Sequence, residues 1–149
     1  MRWGPKRLLR AAEDCSAMNT FGLLDTSVVI DLYQIDASLL PTEMGISTLT
    51  LAELSAGPHA TNDARERADR QELLQRVEAT FDPFPFDLAA SRMYGRIAAA
   101  VLRQGRKPRG TRVVDLMIAA TAASLNVPLY TRNPKDFLGL ESIVGTVAV

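Results

Sequence analysis

The chain has 149 residues, of which 17 are Lys or Arg and 17 are Asp or Glu; 47% of its side chains are apolar and Cys15 is its single cysteine. That length supports one domain with a full core, the apolar share excludes an intrinsically disordered chain, and the lone cysteine excludes an internal disulfide or a cysteine zinc cluster. Opposite charges balance, so attraction to nucleic acid has to come from their distribution rather than their sum.

No apolar run reaches the ~18 residues that span a bilayer. The opening "MRWGPKRLLRAAEDCSAM" is basic but lacks the apolar middle of a secretory signal. The expectation is a soluble, cytoplasmic protein that does not enter a membrane. Residues 1–17 read as an N-terminal extension and 18–149 as the domain, with Met18 a possible alternative start.

In chain order, 21–25 is an apolar strand and 26–34 a helix. "MGISTL" (44–49) is a second strand, and "TLAELSAG" (50–57) a short helix closed by Gly57 and Pro58. A charged helix covers 61–79, where Glu66 and Arg70, like Glu72 and Arg76, stand four apart and can pair. "FDPFPFD" (81–87) is a proline-broken edge strand; its aromatics Phe81, Phe84 and Phe86 suit packing more than base stacking. Apolar residues at 93, 94, 97, 98, 101 and 102 give 88–104 a helical period. "GRKPRG" (105–110) is a loop, and 111–125 a helix apolar nearly all round and therefore deeply buried. "VPLYT" (127–131) is a strand, "NPKDF" (133–137) a turn with a short helix, and "SIVGTVAV" (142–149) a terminal strand. Strands alternating with helices predict an α/β fold with a parallel sheet and right-handed crossovers.

Three carboxylates stand isolated in apolar stretches: Asp25 in "FGLLDTSVVI", Glu53 in "TLAELSAG" and Asp115 in "VVDLMIAA". An unpaired buried carboxylate is costly, so something has to compensate it. Each is expected at a strand end or in the first turn of a helix, places that converge on one crevice at the carboxyl ends of a parallel sheet. Asp136 follows the strand at 127–131 and emerges at the same edge. Clustered carboxylates repel unless a hard divalent cation sits among them, and such a site suits phosphoryl chemistry. The alternative is capping. Asp25 is placed to cap the helix after it, Thr50 to Glu53 matches a capping box, and Asp115 in the first turn of a helix is favoured by the dipole. His59 stands alone, with no nucleophile motif to serve.

Together, "LLDTSVVIDL", "ISTLTLAEL" and "VVDLMIAATAASLNVPLYTRNPKDF" resemble, in order and spacing over about residues 20–149, the PIN-domain ribonucleases, most closely the VapC-type toxins of bacterial toxin–antitoxin pairs. The resemblance implies a three-layer PIN-like α/β domain with a central, mostly parallel sheet flanked by helices. It implies an endoribonuclease dependent on Mg²⁺, or alternatively Mn²⁺, that leaves a 5′-phosphate and a 3′-hydroxyl. Asp25, Glu53 and Asp115 would be the metal-binding catalytic acids and Asp136 a fourth, with Asn133 the alternative supplier of that contact. Thr26 and Ser27 would hold water or the scissile phosphate, or else cap the helix. The implied partners are RNA, of the transfer or ribosomal class, a cognate antitoxin protein and a second copy of the chain.

From Ser91 to Val114 there is no acid, while Arg92, Arg96, Arg103, Arg106, Lys107, Arg109 and Arg112 make a local basic strip beside Asp115. Like charges in such a run repel unless something anionic is near, and the expectation is that the strip contacts RNA phosphates, which supply affinity and orientation. Two rival readings of the sequence are a receiver-like phosphoacceptor domain and a non-catalytic RNA-binding module.

Overall fold

The structure is a computed structural model; it describes residues 9–10 and 20–149. The rest of the expected extension, Met18 and the boundary beside it lie outside the described residues. Five strands are present there: β1 (Leu9–Arg10), β2 (Phe21–Leu24), β3 (Glu43–Gly45), β4 (Leu129–Thr131) and β5 (Thr146–Ala148). Five α-helices surround them: α1 (Thr26–Ile30), α2 (Thr48–Ala56), α3 (Ala64–Thr80), α4 (Leu88–Arg103) and α5 (Thr111–Ser124). The sheet order is β1-β3-β2-β4-β5. Only β1 runs antiparallel to its neighbour; the other four strands are parallel, as expected.

Successive residues of a strand point to opposite faces, and β2 uses this to serve two cores. Leu23, in register with Leu129, belongs to a core filled by Ile97, Ala100 and Val101 of α4 and by the buried Leu116 to Ala123 stretch of α5. Leu24, in register with Tyr130, belongs to a second core with Val28, Val29, Met44, Leu54, Leu74 and Val77, contributed by α1, β3, α2 and α3. The result is three layers. Alanines at 119, 120, 122 and 123 leave room for α4 to lie close against α5. Gly22 leaves the room that the Tyr130 ring occupies, where any Cβ would collide with it.

Several expected boundaries move, each for a local reason. The helix at 26–34 stops at Ile30; Asp31 leaves helical geometry (φ −105°, ψ 15°) and a tight 3₁₀ turn covers Leu32–Gln34. The strand at 44–49 ends at Gly45 because Ser47 caps α2, its Oγ accepting from the Thr50 N–H at 3.2 Å. The 81–87 segment is no strand but a single bridge. Pro83 and Pro85 have no N–H to give, and only Phe84 pairs, donating to the Ile46 carbonyl at 2.8 Å and accepting from the Thr48 N–H at 2.9 Å. The terminal strand shortens to β5 because the N–H groups of Ile143 and Val144 turn back to the Leu140 carbonyl, at 2.8 and 3.0 Å. After α5, Asn126 takes the left-handed conformation (φ 54°). The Asn126 and Val127 N–H groups then close on the carbonyls of Ala123 and Ala122, both at 3.1 Å, which stops the helix and delivers the chain to β4. No helix of the described residues is long and apolar enough to cross a membrane.

Candidate active site

The acids reach one place because β2, β3 and β4 end on the same edge of the sheet. The Asp25 N–H donates to the Tyr130 carbonyl at 2.9 Å, which holds it level with the end of β4. Its side chain is 4% exposed. Oδ1 accepts from the Thr26 N–H at 2.8 Å and so caps α1. Oδ2 accepts from Thr131 Oγ1 at 2.8 Å and from Ser27 Oγ at 3.2 Å. The capping reading of Asp25 therefore describes one oxygen and leaves the other at the sheet edge. Burial raises its pKa, the three hydrogen bonds lower it, and the charge of Asp136 adds to the rise; the net shift is upward.

Glu53 is not a cap, since Ser47 holds that position. From α2 its Oε1 instead accepts from Thr26 Oγ1 at 2.7 Å, and the same hydroxyl lies 3.0 Å from Thr50 Oγ1. This links the first residue of α1 to α2. Glu53 is half-buried, and burial first, then the charge of Asp25, raises its pKa against the bond from Thr26. Asp115 is the fifth residue of α5, past its first turn, so the helix end does not account for it. Its carboxyl is pushed up to about 6, first by burial and then by Asp25, Glu53 and Asp136, with Arg112 pulling the other way. Asp136 is half-buried in the 3₁₀ turn Pro134–Phe137. The four acids named from the sequence thus act on one another across four separate segments.

Asn133 has an exposed side chain, and its main-chain N–H donates to Thr131 Oγ1 at 3.0 Å. Ser27 Oγ also accepts from the Arg132 N–H at 3.3 Å. Thr131, missed in the sequence, is wholly buried and joins Asp25 to the turn carrying Asp136. A hydroxyl ending an otherwise apolar strand was the signal for it.

Arg92, Arg96, Arg103, Arg106, Lys107 and Arg109 are exposed, and none is in an ion pair among the described residues. Arg112 departs from the strip. It is half-buried, and its Nη2 donates to the Asp136 carbonyl at 3.1 Å. At the other end of the basic loop, the Gln104 side chain fills the space above Gly139. Both ends of the 105–110 segment therefore touch the turn that bears Asp136 or the residues just after it. A cleft of about 710 Å³ opens between α1, α2 and α3, with Thr26, Ile30, Glu53, Leu54 and Leu73 in its lining.

Among the described residues no group of three or more Asp, Glu, His or Cys side chains stands placed to hold a metal ion. Both Asp25 oxygens and Oε1 of Glu53 are engaged by hydroxyl or amide donors. The donor set is all oxygen. A small hard cation takes one or two carboxylates and keeps several waters, so this set fits it without a complete cage.

Residues 22–138 match the PIN domain family. Ribonuclease VapC5 of Mycobacterium tuberculosis is 37% identical over 123 residues, covering 80% of this chain and 87% of that protein. Ribonuclease VapC of Rickettsia bellii is 30% identical over 119 residues, covering 77% and 87%. The crystal structure of VapBC-5 from Mycobacterium tuberculosis, a member of the VapBC family of toxin–antitoxin systems, matches with a TM-score of 0.76 and 36% identity over 87% of this chain and 99% of that chain. The chain belongs to the PIN-domain family and, within it, to the VapC group. Membership removes the receiver-like alternative.

Proposed function

We propose that this protein is a divalent-metal-dependent endoribonuclease, the toxin of a type II toxin–antitoxin pair. The observation that carries the reading is a meeting of acids from distant parts of the chain: Asp25 is tied to Tyr130 and Thr131, Glu53 to Thr26, and burial with Asp25, Glu53 and Asp136 raises Asp115 to about 6. Such an arrangement opposes stability and suits a bound cation. Asp25, Glu53 and Asp115 are the metal-holding acids in this reading. Asp136 is the fourth, preferred over Asn133 because its charge reaches Asp25 and Asp115. Bound there, Mg²⁺ or Mn²⁺ supplies Lewis acidity to the attacking water and to the phosphate oxygens. Thr131 and Ser27 orient Asp25, and Thr26 orients Glu53. The water oxygen bonds to phosphorus and gives up a proton to solvent, the P–O3′ bond breaks, and the departing O3′ takes a proton from solvent. The products are a 5′-phosphate and a 3′-hydroxyl. The six exposed basic residues from Arg92 to Arg109 hold the RNA backbone, and transfer or ribosomal RNA is the substrate class.

The partner is an antitoxin protein, a reading supported by the toxin–antitoxin complex among the structural relatives. The cleft beside Glu53 is lined by more acids (Glu53, Glu66, Asp69, Glu72) than bases (Arg70, Arg76), which suits a cationic, partly apolar protein segment better than RNA. A homodimer completes the proposed assembly.

The test is incubation of the purified chain with total bacterial RNA, with and without EDTA, followed by sequencing of 5′-phosphate ends. Discrete cuts that vanish with EDTA and in Asp25→Asn are expected. Cuts that persist in EDTA, or in both Asp25→Asn and Asp115→Asn, overturn the reading. Co-purification with the product of the adjacent gene checks the partner.

A further inference from the structure

Arg112 stands where stability alone would not put an arginine. It is the second residue of α5, near the positive end of the helix dipole, where a cation is disfavoured. Its Nε is buried without a hydrogen-bond partner, and a buried unpaired donor carries its full desolvation cost. Its Nη2 bonds to a main-chain carbonyl, that of Asp136, rather than to a carboxylate. Among the described residues it forms no ion pair, although Asp115 lies three positions on along the same helix. An arginine present only to neutralise these acids would close on one of them, since the paired carboxylate bond is the stronger one. Arg112 keeps donors unspent at the edge of the acid cluster, and rule-breaking placements of this kind gather at functional sites.

We propose that Arg112 is a further catalytic residue: its free guanidinium edge takes a non-bridging oxygen of the phosphate being cleaved, while Nη2 stays bonded to the Asp136 carbonyl. The assignment rests on the nuclease reading above. The planar fork of a guanidinium matches phosphate oxygens better than an ammonium does. Charge on those oxygens is stabilised most where it develops, in the transition state, so the contact acts on turnover more than on binding. That separates Arg112 from the exposed strip, whose phosphate contacts hold and orient the strand.

The experiment takes a short RNA carrying a cleavage site mapped from total RNA and compares the wild-type chain with Arg112→Ala, Arg112→Lys and the double variant Arg106→Ala/Lys107→Ala. Mn²⁺ affinity is measured alongside by electron paramagnetic resonance titration. Arg112→Ala is expected to lower kcat about a hundredfold, the typical loss of one transition-state donor, with KM little changed and Mn²⁺ bound at least as tightly. Arg112→Lys is expected to lose at least about tenfold in kcat, because lysine lacks the fork. The double variant is expected to raise KM instead. Wild-type kcat in Arg112→Ala overturns the assignment and leaves the nuclease reading standing. So does a loss of kcat matched by a loss of Mn²⁺ affinity, which would make Arg112 a holder of the Asp136 turn. Should Arg112→Ala not fold, Arg112→Lys decides by the same criteria. If the wild-type chain cuts no RNA and binds no Mn²⁺, the reading and the assignment fall together.

Discussion

Helix α3 and the carboxyl edge of the sheet treat charge in opposite ways. On α3 two of the four acids, Glu66 and Glu72, have arginines four residues on: Arg70 Nη2 lies 2.5 Å from Glu66 Oε1, and Arg76 Nη2 lies 2.8 Å from Glu72 Oε1. The Glu66 pKa is lowered, by the Thr61 hydroxyl first and then by Arg70. At the sheet edge, Asp25, Glu53 and Asp115 have other acids as neighbours, and all three are raised. One region arranges its charges for the folded chain alone. The other gathers like charges in a half-buried place, an arrangement that favours the folded chain less.

The largest expected break in this contrast is in activity. Asp25→Asn keeps a side chain able to cap α1 but removes a charge from the cluster. Cleavage is expected to fall at least about a thousandfold with an unchanged circular-dichroism spectrum. Next is stability in metal-free buffer. Asp115 rises from 3.8 to about 6, so the folded state binds its proton more tightly than the unfolded chain does. That stability is fully present below pH 3.8, is lost as pH rises to about 6, and stays lost above. Asp115→Asn escapes the loss. Urea unfolding at pH 7 is expected to show a gain on the order of 1 kcal/mol, discounted for partial exposure, that vanishes near pH 4.

Smaller effects test the parts that serve only the fold. Ser47→Ala removes the α2 cap and is expected to cost about 1 kcal/mol in urea unfolding. If Glu53 were the cap, Ser47→Ala would be silent. Glu72→Gln on α3 is expected to cost about 0.3–0.5 kcal/mol, with less at high salt. A larger loss there would erase the distinction between the two regions.

Asp25, Glu53 and Asp115 were legible because each is a lone charge in an apolar stretch, and that pattern depends on composition rather than on exact boundaries. The start of α2 was misplaced because two capping patterns overlap, Ser47 with Thr50 and Thr50 with Glu53, and only the backbone decides between them. The segment 81–87 kept the look of a strand through its aromatics, while Pro83 and Pro85 left a single pairing residue. Arg112 was indistinguishable from its exposed neighbours, because the direction of a side chain at a helix start depends on the turn it meets, 24 residues away. Thr131 was passed over for a related reason: its partner Asp25 is 106 positions away.

The alternation of Leu23 and Leu24 sets the phase of the chain as it leaves β2. One residue inserted into or deleted from this four-residue strand would swap its two faces and exchange the contents of both hydrophobic compartments. Asp25 would rotate with them and lose its alignment with Tyr130 and Thr131. Two oily chambers, one above the sheet and one below, thus meter the position of a single carboxylate.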